Sequence, residues 1–189
     1  MALQLDSRDA LVVVDVQNDF LPGGALGIPD GDAVIAPLNR AIAEFRAGQL
    51  PIIATRDWHP PDHCSFAARG GPWPPHCVQD TPGAEFAPGL ELPDDAHRVL
   101  KGTLAEKDAY SGFDGTGLHE WLHERGILRL FVGGLATDYC VKQTVLDACA
   151  FGYDVFVLDD AVRAVAERTG NDAFMEMLEA GAHPLANVL

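Results

Sequence analysis

The chain has 189 residues, 48% of them hydrophobic and 22% charged, which is enough for one domain with a full core and excludes a disordered chain. Its formal net charge of −15 argues against nucleic acid or an anionic membrane as a partner, since both recruit clustered Lys and Arg. The first twenty residues carry no basic region or small-residue cleavage pattern, and the apolar run 10–14 is too short to span a bilayer, so the expectation is a cytoplasmic protein.

Short apolar runs alternate with helical patterns along the chain. "ALVVVDV" (10–16) predicts a strand. "DAVIAPLNRAIAEFRAG" (32–48) predicts a helix with a Gly stop, and "LPIIATRD" (50–57) the next strand. A stretch rich in Pro and Gly follows from about 58 to 95, too long for a mere connection, and such inserts are usually functional. "HRVLK" (97–101) predicts a strand, "GTGLHEWLHERG" (115–126) a helix, and "LRLFVGG" (128–134) a strand. "TDYCVKQTVLDACAFG" (137–152) predicts a helix with Thr137 as N-cap. "YDVFVLDD" (153–160), "ERTGNDAFMEMLEAG" (167–181) and "AHPLANVL" (182–189) predict strand, helix and strand. Near-continuous apolar strands between helices indicate a parallel sheet covered on both faces, in a single domain.

Ligands of open α/β sheets bind outside the carboxyl ends of the strands. Four predicted strands lead there to Asp15, to Asp57 and His59, to Lys101, and to Cys140. With Thr137 as cap, Cys140 falls in the first helical turn, where the helix dipole lowers a thiol pKa and free N–H groups can hold an oxyanion. A small core residue at a helix start is the plainer reading. Lys101 is one of only three lysines, and a strand-end lysine reaching solvent is its plainer reading. Asp15, deep in an apolar run, needs a partner or serves as a structural cap.

"DWHPPDHCSF" (57–66) and "WPPHC" (73–77) bring His and Cys close together. In extended chain Asp57 and His59 point the same way and can face one ion. Adjacent residues point apart, so each His–Cys pair offers one ligand more easily than two. Asp-x-His with further His suits Zn, Fe or Mn; a proline-rich loop with merely polar histidines is the plainer reading. The four cysteines form no C-x-x-C pair, and the chain has no phosphate-binding glycine loop and no G-x-S-x-G elbow.

"VVDVQNDF" (13–20), "TRDWHPPDHCSF" (55–66), "WPPHCVQDTPGAEF" (73–86), "KGT" (101–103) with "DAYSGF" (108–113), and "GLATDYCV" (134–141) together resemble the nicotinamidases of the isochorismatase-like cysteine hydrolase superfamily. The match is in order and covers most of the chain. It implies a single α/β hydrolase domain over residues 1–189 with a doubly wound, mainly parallel six-stranded sheet, helices on both faces, and a metal site in the 58–95 insert. It implies Cys140 as nucleophile, Asp15 as acid/base and Lys101 as third member of a triad. Backbone N–H groups of Ala136 and Cys140 would form the oxyanion hole, after a cis Leu135–Ala136 peptide. Phe20, Trp73 and Tyr110 match residues enclosing a pyridine ring. Asp57, His59 and His76 match ligands of one divalent metal ion, zinc first and iron or manganese after it; His63 matches a position that completes the site in some members. Asp80 departs from the pattern, where many members have Gly. The implied activity is hydrolysis of nicotinamide to nicotinate and ammonia in NAD salvage, with another amide or carbamoyl substrate as the alternative. Assembly into a homo-oligomer stays open.

Overall fold

The computed structural model describes residues 4–186. Six strands form one all-parallel sheet: β1 (Asp9–Val14), β2 (Ile52–Asp57), β3 (His97–Lys101), β4 (Arg129–Leu135), β5 (Asp154–Arg163) and β6 (His183–Leu185). The helices packed on it are α1 (Ile35–Ala47), α2 (Leu118–Glu124), α3 (Lys142–Ala150) and α4 (Glu167–Glu179). No helix among the described residues is long and apolar enough to cross a membrane.

All six residues of β1 are buried, and their alternation explains the two covered faces. Leu11 and Val13 join Leu38, Ile42 and Phe45 of α1 on one face. Ala10, Val12 and Val14 join Leu118 and Leu122 of α2, Val145 of α3 and Met177 of α4 on the other. Each Val, Leu, Ile or Phe so buried contributes roughly 1.5–3 kcal/mol. The strand order β3-β2-β1-β4-β5-β6 means that the chain winds outward twice, first from β1 and then from β4. The crevice between the carboxyl ends of β1 and β4 is therefore the switch point where such sheets bind ligands.

Three elements differ from expectation in ways that matter. The helix predicted from 137 opens with a π turn over Thr137–Val141; Ala136 is its N-cap, and no side chain caps it, so Thr137 does not play that part. Strand β5 runs past the acidic pair Asp159–Asp160, because the pair sits in a bulge opposite Val132–Gly134 and the ladder resumes at Val162. Strand β6 covers only His183–Leu185, and residues 187–189 of the predicted strand lie outside the described residues. Between β2 and β3 the insert is irregular, with short 3-10 turns at Ala67–Arg69 and Pro82–Ala84. Isolated bridges His59↔Val78, Phe66↔Trp73 and Gln17↔Phe86 fold it over the sheet's carboxyl rim.

Candidate active site

Three strands deliver charged or nucleophilic groups to one buried point. Asp15 follows β1 with a positive φ of 48°, a left-handed conformation that turns the chain sharply off the sheet. Its Oδ1 accepts a 2.7 Å hydrogen bond from Thr55 Oγ1 of β2. Lys101 ends β3, and its Nζ lies 2.8 Å from Asp15 Oδ2 and 2.5 Å from Asp57 Oδ1. The same ammonium donates to Cys140 Sγ at 3.3 Å and to Ala109 O at 3.3 Å. Cys140 comes from the π turn after β4, with its sulfur within 4.8 Å of the Asp15 and Asp57 carboxylates. Asp15 Oδ2 pairs with the Lys101 ammonium and stands beside the thiol.

Burial sets the electrostatics. Loss of solvent raises the Asp15 carboxyl pKa, against the pull of Lys101. Burial alone would push Lys101 down, but Asp15 and Asp57 together hold its ammonium well above the ordinary range. Cys140 is pushed well above the ordinary thiol value, by burial first and by the two carboxylates; Lys101 only partly opposes this. The expected lowering by a helix dipole is overturned: the sulfur sits in a dry pocket facing two acids, and the turn is not a capped α-helical start. Burial and the two carboxylates together favour the protonated thiol.

Beside this cluster, Asp57, His59 and His76 bring one ligand atom each within 4.8 Å of one another, and all three are buried. His59 Nδ1 donates to His76 O at 3.1 Å, and His76 Nδ1 donates to Pro74 O at 2.8 Å. A carbonyl accepts only from an N–H, so in both rings Nε2 carries the lone pair. Burial and the neighbouring His76 lower the His59 pKa to about 3, so this ring is neutral, as a ligand must be. The donors therefore fit a divalent ion of borderline softness. His63 is not in this set, but with His59 and Asp108 it forms a second group whose ligand atoms lie within 4.8 Å of one another. It stacks on His59 with ring centroids 4.2 Å apart, its Nδ1 pairs with Ser65 Oγ at 2.7 Å, and its Nε2 donates to Lys107 O at 3.1 Å. Gly102, with φ +61°, lets the backbone after Lys101 touch the His59 ring, where a Cβ would stand 2.7 Å away.

The two clusters share a small cavity lined by the predicted Phe20, Trp73, Tyr110, Ala136 and Cys140. Trp73 Nε1 donates to Tyr110 Oη at 3.0 Å, which ties two of its walls together. Ala136 follows a cis peptide after Leu135. Its carbonyl accepts from Tyr139 and Val141 at 3.1 Å each, passing over the N–H of Cys140. Leu26, Ile28, Tyr139 and Val165 also line the cavity and escaped the sequence reading. The position of Tyr139 immediately before the candidate nucleophile is a usable signal; nothing local marks the others. Asp80 lies outside the cavity at φ 60°, a left-handed position that favours Gly and tolerates Asp. A wider groove at the opposite rim, near the starts of β2 and β3, holds none of these groups; there His97 and Trp121 already stack on each other at 4.1 Å.

A buried thiol, carboxylate and lysine at the switch point of this sheet define a cysteine hydrolase site, and the chain belongs to the isochorismatase family, whose domain model matches residues 9–187. It is 42% identical to the nicotinamidase of Escherichia coli strain K12 over 196 residues, 92% of each chain. The pyrazinamidase of Pyrococcus horikoshii in complex with zinc superposes with a TM-score of 0.92 at 48% identity, covering 94% of this chain and 98% of that one. PnC1 from L. infantum in complex with nicotinate gives a TM-score of 0.91 at 38% identity, covering 98% of this chain and 96% of that one.

Proposed function

We propose that this chain hydrolyses nicotinamide to nicotinate and ammonia through a thioester on Cys140, a step of NAD salvage. The carrying observation is Lys101 Nζ within 3.3 Å of both Asp15 and Cys140 beside a small cavity walled by aromatic side chains. The nicotinamidase and pyrazinamidase relatives support the same substrate class.

Asp15, with its raised pKa, takes the proton of the Cys140 thiol, and Lys101 steadies the resulting anion. The sulfur attacks the amide carbon, and the N–H groups of Ala136 and Cys140 hold the developing oxyanion. Asp15 returns the proton to the leaving nitrogen, the C–N bond breaks, and ammonia departs. A water then gives a proton to Asp15 and attacks the thioester; the C–S bond breaks, nicotinate leaves, and the thiol is regained.

Phe20, Trp73 and Tyr110 enclose the ring, with Tyr139 as a further wall. Asp57, His59 and His76 would hold one divalent ion, zinc first, with His63, stacked on His59, at the position that completes the site in some family members. Such an ion would supply a Lewis-acid position able to take a ring nitrogen, and the aromatic walls would then orient the amide toward the thiol. Residues 1–189 act as one hydrolase domain with the metal site in the 58–95 insert. The four cysteines are unpaired, which suits a reducing cytoplasm, and the charge of −15 disfavours nucleic acid as a partner.

An ammonia assay with nicotinamide, before and after thiol alkylation, tests this reading. Release should be abolished once Cys140 is modified. Turnover that survives complete alkylation would remove the thiol from the mechanism. Release from an aliphatic or ureido amide but not from nicotinamide would move the chain to the alternative substrate class.

A further inference from the structure

The metal-ligand loops are held by two side chains that touch neither substrate nor reacting atoms. The β1–β2 ladder ends with Val14 opposite Thr55 and the Asp15 N–H donating to Thr55 O at 3.1 Å. Two residues further on, the amide of Gln17 continues it. Its Oε1 accepts from the Asp57 N–H at 2.9 Å, and its Nε2 donates to Asp57 O at 2.8 Å and to Ala84 O at 2.9 Å. Gln17 is fully buried, so every polar atom of its amide is committed to backbone. A primary amide offers one acceptor oxygen and two N–H donors, and these three bonds use all of them. The backbone of Asp57 is thus clamped on the side opposite β3, where Trp58 N–H donates to Lys101 O at 3.0 Å.

Asp19 acts on the other loop. Its Oδ2 accepts from the Cys77 N–H at 2.7 Å, one residue past His76. Cys77 has a φ of 46°, a left-handed conformation that a β-carbon resists and an anionic acceptor on its N–H helps to hold. The Cys77 carbonyl in turn accepts from the His59 N–H at 2.9 Å, so this one residue spaces the two histidines. Gly83 leaves room for the carboxylate, since a Cβ there would come within 2.2 Å of Asp19 Oδ2.

We propose that Gln17 and Asp19 are positioning residues of the metal centre, Gln17 setting the place of Asp57 and Asp19 setting the spacing of His59 and His76. The inference rests on the reading of Asp57, His59 and His76 as ligands. It also gives the segment Asp15–Phe20 one purpose: base, clamp, clamp and ring wall on six consecutive residues, so that metal and thiol keep a fixed separation.

Zinc affinity is the direct test, measured on the purified full chain by competition with a chromophoric chelator, using zinc(II) alone. Gln17→Met and Asp19→Ala should each weaken zinc binding by about tenfold to 100-fold, the range for residues that orient ligands. Asp19→Asn keeps an acceptor for the Cys77 N–H and should recover most of the affinity. With nicotinamide, KM should rise more than kcat falls, and the alkylation rate of Cys140 should stay within about twofold of wild type. If the buried Gln17→Met variant fails to fold, the half-buried Asp19 pair decides. Zinc affinity unchanged in folded Asp19→Ala, or lost equally in Asp19→Asn, would overturn the proposal. A wild-type chain that binds no zinc would instead defeat the ligand reading on which it rests.

Discussion

The thiol cluster and the donor set lie side by side yet are built differently. Asp15 directly follows β1, and Lys101 is the last residue of β3; Cys140 enters from the turn after β4. The sheet ladder fixes their separation, and their charges satisfy one another. Of the donor set only Asp57 stands on a strand; His59 and His76 ride the irregular insert and depend on side-chain tethers such as Asp19. Strands supply rigid placement without further help, whereas loops reach the same precision only by spending buried polar groups on backbone. Asp57 belongs to both regions, since its carboxylate meets Lys101 at 2.5 Å and also faces His59 at 3.7 Å.

If the two regions divide the labour, they should fail separately. Cys140→Ala should lower kcat by about 10⁴ or more while zinc affinity and melting temperature stay near wild type. Residual turnover above about one percent, measured as ammonia release, would mean that the thiol is not the nucleophile. His76→Ala should do the reverse. Zinc affinity should fall by more than about 100-fold and KM for nicotinamide should rise, while iodoacetamide still alkylates Cys140 at nearly the wild-type rate. An equal collapse of thiol reactivity would show that the donor set holds the cluster together and that the division is false.

The same contrast separates what was legible in the sequence from what was not. Short apolar runs between helical patterns placed all six strands, most plainly β1, whose burial on both faces leaves its mark in its own residues; the edge strands β3 and β6 are only partly buried. Asp15, Lys101 and Cys140 could be picked from position alone, since strand ends of a parallel sheet converge on one rim. Their roles came from the resemblance. Which donors share a set did not follow from spacing: His59 belongs to one group with Asp57 and His76 and to a second with His63 and Asp108, while the His63 nitrogens also pair with Ser65 and Lys107. The dipole of a helix start is a local property and is legible at Cys140, whereas the net electrostatics of its sulfur are not. The two carboxylates and the dry pocket that outweigh that dipole come from other parts of the chain. Leu26 and Val165 reach the cavity through the packing of loops, and no local pattern encodes that.

Burial acts on both regions, and its opposite outcomes give the smallest effect worth measuring. In the thiol cluster Lys101 stays charged because two carboxylates face it. In the His59 ring the loss of solvent is reinforced by the neighbouring His76, His63 and Lys101 and only partly offset by the hydrogen bond to His76 O, so the ring pKa falls from 6.5 to about 3. Below pH 6.5 the unfolded chain takes up a proton that the native ring refuses. The contribution of the neutral ring is thus complete above 6.5 and is lost progressively as pH falls toward about 3. At pH 5 the loss amounts to about 2 kcal/mol. Metal-free protein, unfolded in urea at pH 7 and pH 5, should lose that much more stability across the interval than the His59→Gln variant, which has no ring to titrate. Equal losses in the two proteins would show that His59 titrates as it does in water. In that case its neutrality would need the bound ion, and the donor set would lack the readiness that its hydrogen bonds otherwise give it.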